Sequence, residues 1–218
     1  MYSFIKEIRE VLPLFLIAIF LVIFYNKSME IVVATNNKHK LKEIREILGD
    51  KIDKIYSQSD LGIVCEPEEN APDFAGNADI KARTIAAYCN LPVLADDSGL
   101  LVEALNGEPG VNSARYCGEH GNDAKNNELL LKNLQGVENR NATFATCVTL
   151  YFNENKILRV IGETKGKILH EKQGDNGFGY DCIFYSDELG KSFGLASEEE
   201  KNSVSHRGKA LRKLLELL

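Results

Sequence analysis

Two adjacent carboxylates, Asp96 and Asp97, follow directly on a short apolar run, Val93-Leu94-Ala95, and precede Ser98 and Gly99. The pattern predicts a strand ending at Ala95 and a turn over Asp97, Ser98 and Gly99, which would hold both acids on a rigid edge facing a cleft. Carboxylate oxygens presented that way suit a hard divalent cation, Mg²⁺ above all. The plainer alternative is an Asp-Ser-Gly turn whose side chains bond their own backbone. Glu66, Glu68 and Glu69 crowd one polar loop. Such acid runs commonly face water, yet one of the three would complete the coordination begun at Asp96 and Asp97.

Three further stretches carry groups of the opposite kind. Thr35, Asn36, Asn37, Lys38, His39 and Lys40 stand where a first strand gives way to a first helix. Free backbone N–H groups and the positive helix end suit a phosphate there, with Lys38 or Lys40 adding charge. An asparagine cap with solvated lysines is the competing account. The stretch is no Walker loop, because the glycines are missing. Phe178, Gly179, Tyr180 and Asp181 set an aromatic ring beside a carboxylate on a glycine-rich turn, able to stack on a base and accept hydrogen bonds from its edge, unless the rings are core. Lys201, followed by Ser205, His206, Arg207, Gly208 and Lys209, gathers donors near the start of a last helix, fit for an anionic or carbonyl-bearing ligand.

The elements that must position these groups alternate strand and helix from Met29 onward. Glu30 to Ala34 reads as a strand, and Lys38 to Leu48 as an amphipathic helix with Leu41, Ile44, Ile47 and Leu48 inward. A polar loop from Cys65 to Pro72 leads to a helix over Asp73 to Cys89, then a strand over Pro92 to Ala95. Asn126 to Leu134 reads as a helix, Ala142 to Phe152 with Lys156 to Glu163 as a long hairpin, Gly174 to Gly179 as a mobile or tight-turning loop, and Arg207 to Leu218 as the closing helix. The expectation is an α/β fold with a mixed twisted sheet and flanking helices.

The chain has 218 residues, 44% of them hydrophobic and 27% charged, enough for one domain with a sizeable core. A formal net charge of −6 argues against a general nucleic-acid surface, so a polyanion must be met by a focused cluster or by metal ions. Cys65, Cys89, Cys117, Cys147 and Cys182 are odd in number and lack C-x-x-C spacing, which fits a reducing compartment and points to neither zinc nor a disulfide framework. Val11 to Tyr25 is uncharged and apolar but short of the roughly 20 residues a membrane span needs. Residues 1–28 are either an anchor or the product of a start assigned upstream of Met29, with a cleaved signal less favoured. Residues 29–218 form the domain.

Taken in order, TNNKHK, ADDSGL continuing to SARYCG, FGYD and SHRGKA resemble the noncanonical purine nucleoside triphosphate pyrophosphatases, also called XTP/dITP diphosphatases or inosine triphosphatases. The resemblance covers Met29 to Leu218 and implies two lobes around a central nucleotide cleft. It implies a cytosolic, Mg²⁺-dependent homodimer that splits ITP, dITP and XTP into monophosphate and pyrophosphate. Carried over, Thr35 to Lys40 would hold the triphosphate, and Glu69 and Asp97 the metal. Asp97 would also take the proton of the attacking water, and Ser98 would touch substrate. Phe178 to Asp181 with Lys201, His206 and Arg207 would surround the base. Three positions depart from the family pattern: Asn36 replaces a glycine, Gly76 an acid, and Cys182 a proline. The alternatives are a related house-cleaning pyrophosphatase of different base preference and a membrane-tethered nucleotide-binding module without turnover.

Overall fold

The computed structural model describes residues 29–218, so the apolar run 11–25 and the expectations about it lie outside the described residues. Seven strands form one sheet: β1 (Glu30–Val33), β2 (Lys54–Ser57), β3 (Val93–Val102), β4 (Asn141–Asn153), β5 (Lys156–Ile168), β6 (Phe184–Ser186) and β7 (Lys191–Ser192), in the order β2-β1-β3-β4-β5-β6-β7. The sheet is mixed, as expected: β1 runs parallel to β2 and β3, and every later pairing is antiparallel. Helices α1 (Lys38–Leu48), α2 (Phe74–Ala86), α3 (Asp123–Asn133), α4 (Glu198–Val204) and α5 (His206–Leu215) flank it.

Several boundaries differ from the sequence reading, while the glycine-rich loop takes one of its two expected forms. The strand expected to stop at Ala95 runs on to Val102, because Asp97, Ser98 and Gly99 pair with Cys147, Thr146 and Ala145 of β4. Ladder hydrogen bonds and burial override the turn preference of Asp-Ser-Gly. The closing helix starts earlier and is broken: Ser205 is extended, ends α4 and caps α5 through its hydroxyl. The stretch Gly174 to Gly179 is tight-turning, with Gly174, Gly177 and Gly179 all at positive φ. The helix read over Asp73 to Cys89 uses Asp73 as its cap and stops at Ala86.

Alternation along β3 sets up the site. Leu94 belongs to a core with Ile31, Val33, Ile44, Leu150 and Leu211, packed beneath α1 and α5. Leu100, on the same face, belongs to a second core with Phe144, Ile168, Phe184, Phe193 and Leu130. Asp96 and Ser98 fall between them, so the polar pair interrupts one strand face between two apolar lobes. The opposite face carries Val93 and Ala95 against α2, and then Asp97 and Gly99. A Cβ at Gly99 would strike the carbonyl of Gly110 and the Ser113 hydroxyl, so only glycine lets that segment pack on the strand. Gly162 of β5 plays the same part for α5: a Cβ there would collide with the His206 carbonyl and the Ala210 amide.

Candidate active site

Because successive residues of a strand point to opposite faces, Asp96 and Asp97 do not share one cation. Asp96 faces α1 and α5, where its Oδ2 lies 3.2 Å from Lys40 Nζ and 2.9 Å from Arg207 Nη2. Arg207 also reaches Ser98 Oγ at 3.0 Å and pairs with Glu43. Lys201 Nζ lies 2.7 Å from Glu43 Oε1 and 2.6 Å from Asp181 Oδ2. Three cations and three carboxylates thus alternate in a buried chain from Lys40 to Asp181.

Burial by itself would raise the pKa of Asp96, but Lys40 and Arg207 hold it far below the usual carboxylate range. Glu43 is likewise pushed up by burial and pulled down further by Arg207 and Lys201, to about 2. Lys40 is lowered, chiefly by burial. Asp96 Oδ1 has no protein donor, which leaves one buried acceptor inside this charged network.

Asp97 faces α2 and meets the expected partner. Lys81 Nζ lies 3.0 Å from Asp97 Oδ1 and 3.1 Å from Glu69 Oε2, so the two acids converge on a single cationic position. Asn77 Nδ2 donates to Asp97 Oδ2 at 3.1 Å, while Asn77 Oδ1 accepts from the Ala71 amide, tying the acidic loop to the strand. Burial raises the Asp97 pKa, and Lys81 and Lys40 oppose the shift. Glu66 and Glu68 are exposed and take no part in the convergence.

Among the described residues no three His, Cys, Asp or Glu side chains cluster as a metal site. Two carboxylates around one ammonium nevertheless match what Mg²⁺ asks of a protein, since it usually takes one or two carboxylates and completes its shell with water and phosphate oxygens. Lys81 stands in for positive charge at that point. Gly76 explains its own departure from the family pattern: a Cβ there would sit 2.6 Å from Ala71 Cβ, so the loop leaves no room for an acid.

The phosphate stretch is reduced by its own cap. Asn37 Oδ1 accepts from the His39 and Lys40 amides at 2.9 and 3.2 Å, so those two N–H groups are already satisfied. Thr35 Oγ1 accepts from the Asn37 amide, and Asn36 and Lys38 are exposed. The His39 ring stacks on Phe178, with centroids 5.2 Å apart and planes inclined by 17°.

The second aromatic stretch divides in two. Phe178 is half-buried, with Lys201 Nζ 4.6 Å and the Arg207 guanidinium 5.9 Å from its ring centroid. Tyr180 instead joins the core and donates its hydroxyl to the Ser113 carbonyl at 2.9 Å, so only one of the two rings is free to meet a base. The Gly179 amide and carbonyl are held by Asp123 and Asn127 of α3. The His206 ring packs parallel to Phe144 at 4.9 Å, and burial drives its pKa well down, so the imidazole is held neutral with one N–H to donate and its buried Nδ1 has no protein partner among the described residues.

This arrangement sits within a recognisable family. The Ham1 family profile matches residues 31–217. The chain belongs to the Ham1 family. A protein of Clostridium tetani named dITP/XTP pyrophosphatase is 44% identical over 191 residues, covering 86% of this chain and 95% of its own. A Haemophilus influenzae protein of the same name is 47% identical, covering 84% of this chain and 96% of its own. The Ham1 protein of Coxiella burnetii superposes with a TM-score of 0.78 at 40% identity, over 87% of this chain and 98% of that one. The family match spans Thr35 through Arg207 and so includes both charged clusters.

Sequence reasoning missed Glu43, Asn77 and Lys81, though each had a signal. Lys40 and Glu43 are three apart on the inward side of α1, beside Ile44 and Ile47. Asn77 and Lys81 are four apart on the α2 face that also carries Ala78, Ala82 and Ile85. A polar pair set into an apolar stripe marks groups that are buried with partners.

Proposed function

We propose that this Ham1 chain hydrolyses the deaminated purine nucleoside triphosphates ITP, dITP and XTP between the α and β phosphates, releasing the monophosphate and pyrophosphate. The observation that carries the reading is the convergence of Glu69 and Asp97 on one cationic position, on a strand whose other face holds Lys40 and Arg207. Relatives named dITP/XTP pyrophosphatase support it.

Glu69 and Asp97 would hold Mg²⁺, which when bound supplies charge neutralisation for the phosphates. Asp97 takes the proton of the attacking water at a carboxylate oxygen, a task that its raised proton affinity favours. Lys40 and Lys38 meet the phosphates, helped by Thr35. Substrate phosphate competes with Asp96 for the Lys40 ammonium. Positioning and fixed charge do most of the work in such a displacement, since the phosphates repel any nucleophile until they are neutralised.

Phe178 stacks on the base, and Lys201 and Arg207, which can donate but never accept, address the 6-oxo group. An adenine would turn hydrogens toward those donors, and mismatches of that kind can reach about 10⁴-fold in selectivity. The reading includes a homodimer and a cytoplasmic catalytic domain, with residues 11–25 as the segment that would attach it to a membrane. Among the described residues no helix is long and apolar enough to cross one.

The test is an assay of the chain with dITP, ITP, XTP and ATP and identification of both products. Preference for the 6-oxo purines with release of pyrophosphate is expected. Cleavage of ATP as readily as ITP, release of orthophosphate, or tight binding without turnover would overturn the assignment.

A further inference from the structure

His39 is exposed on the first turn of α1, and its ring lies nearly parallel to Phe178 at 5.2 Å between centroids. A base slotted between two rings needs two contact distances of about 3.5–4 Å each, and the observed gap is far smaller. No base can therefore stack on that face of Phe178 while His39 remains. The neighbours over the same ring are not free to yield: Lys201 is fixed by Glu43 and Asp181, and Arg207 by Asp96 and Glu43. The His39 imidazole, by contrast, has no hydrogen-bond partner among the described residues, and only its backbone amide is engaged, by the Asn37 cap.

We propose that His39 occupies the stacking face of Phe178 in place of a purine base and is exchanged for it on binding, so that residue 39 sets how strongly a base must stack to enter. This rests on the reading of Phe178 as the base platform. Every incoming base gives up the same imidazole stack, but a purine recovers more by stacking than a pyrimidine with its smaller ring. The exchange thus raises the threshold against weakly stacking bases without touching the phosphate groups. It also keeps an apolar ring covered between ligands.

The experiment measures calorimetric affinity of the full chain for inosine monophosphate, which has no anhydride bond to cleave, and for cytidine monophosphate. His39→Ala is expected to bind inosine monophosphate about threefold to tenfold more tightly, the range an aromatic pair contributes. It should tighten cytidine monophosphate by the same factor, leaving the ratio of the two affinities unchanged, and both gains should vanish in a Phe178→Ala background. In the unaltered chain the His39 ring protons should carry an upfield ring-current shift that is lost on adding inosine monophosphate. If Phe178→Ala leaves affinity unchanged, the base does not stack there and the platform reading falls together with this one. If Phe178→Ala weakens binding but His39→Ala binds equally or more weakly, the exchange alone is overturned, as it is if the shift persists in the complex.

Discussion

At the scale of single residues, adjacent acids in a strand acquire opposite duties from alternation alone. Asp96 is locked by Lys40 and Arg207 and is a poor proton acceptor, whereas Asp97 is desolvated and shares Lys81 with Glu69. Asp97→Asn is expected to lower turnover by on the order of 10²-fold or more, read as kcat with dITP, while leaving the far-ultraviolet circular dichroism unchanged. Glu43 carries a separate prediction about stability. Burial raises its pKa, but Arg207 and Lys201 bring it to about 2 in the folded chain, against 4.5 ordinarily. A depressed carboxylate stabilises the fold above its unfolded pKa and loses that contribution as pH falls. Glu43→Gln should therefore be less stable than the parent by on the order of 3 kcal/mol near neutrality, with the gap closing between about pH 4.5 and 2 in urea titrations. The individual acids Glu69 and Asp97 were legible from motif order. Glu43 was not, because a lone acid inside an amphipathic helix looks like any solvated charge until its partners arrive from α4 and α5.

At the scale of elements, α1 and α2 each bring one polar pair to one face of β3, and the loops before them bring the rest. The sequence made α1, α2 and the long hairpin plain through their periodicity. It hid the far end of β3 and the break at Ser205, since both depend on pairing and capping partners distant in the chain. The short strands β2, β6 and β7 escaped for the same reason: Lys191–Ser192 is two residues long and is a strand only because Tyr185 and Ser186 lie beside it. Arg140 joins elements in another way. Its guanidinium is buried and donates to the carbonyls of Leu134, Ile168 and Leu169, clamping the end of α3 to the end of β5 with no carboxylate partner among the described residues. Arg140→Met leaves those carbonyls unpaired and should cost about 2–4 kcal/mol in denaturant unfolding, with catalysis at saturating substrate retained below the unfolding transition.

At the scale of the whole molecule, two apolar lobes meet across a strand whose middle is charged, so the site lies where neither core can close. Both apolar cores, as described, are built from residues 29–218. A chain beginning at Met29 should therefore unfold at the same urea midpoint as the full chain. If residues 11–25 anchor the protein, only the full chain should float with liposomes in a density gradient, and a full chain that stays in the dense fraction would remove the anchor.

Gly162 lies on β5, two strands away from the acids, yet it decides where Asp96 finds its counter-ion. Helix α5 rests on bare backbone at that point, and the depth of this seat brings Arg207 down to Asp96. One added methyl group would act as a shim beneath the helix, lifting its first turn and with it the guanidinium, so a position that touches no ligand and bears no functional group is as constrained as the residues that do.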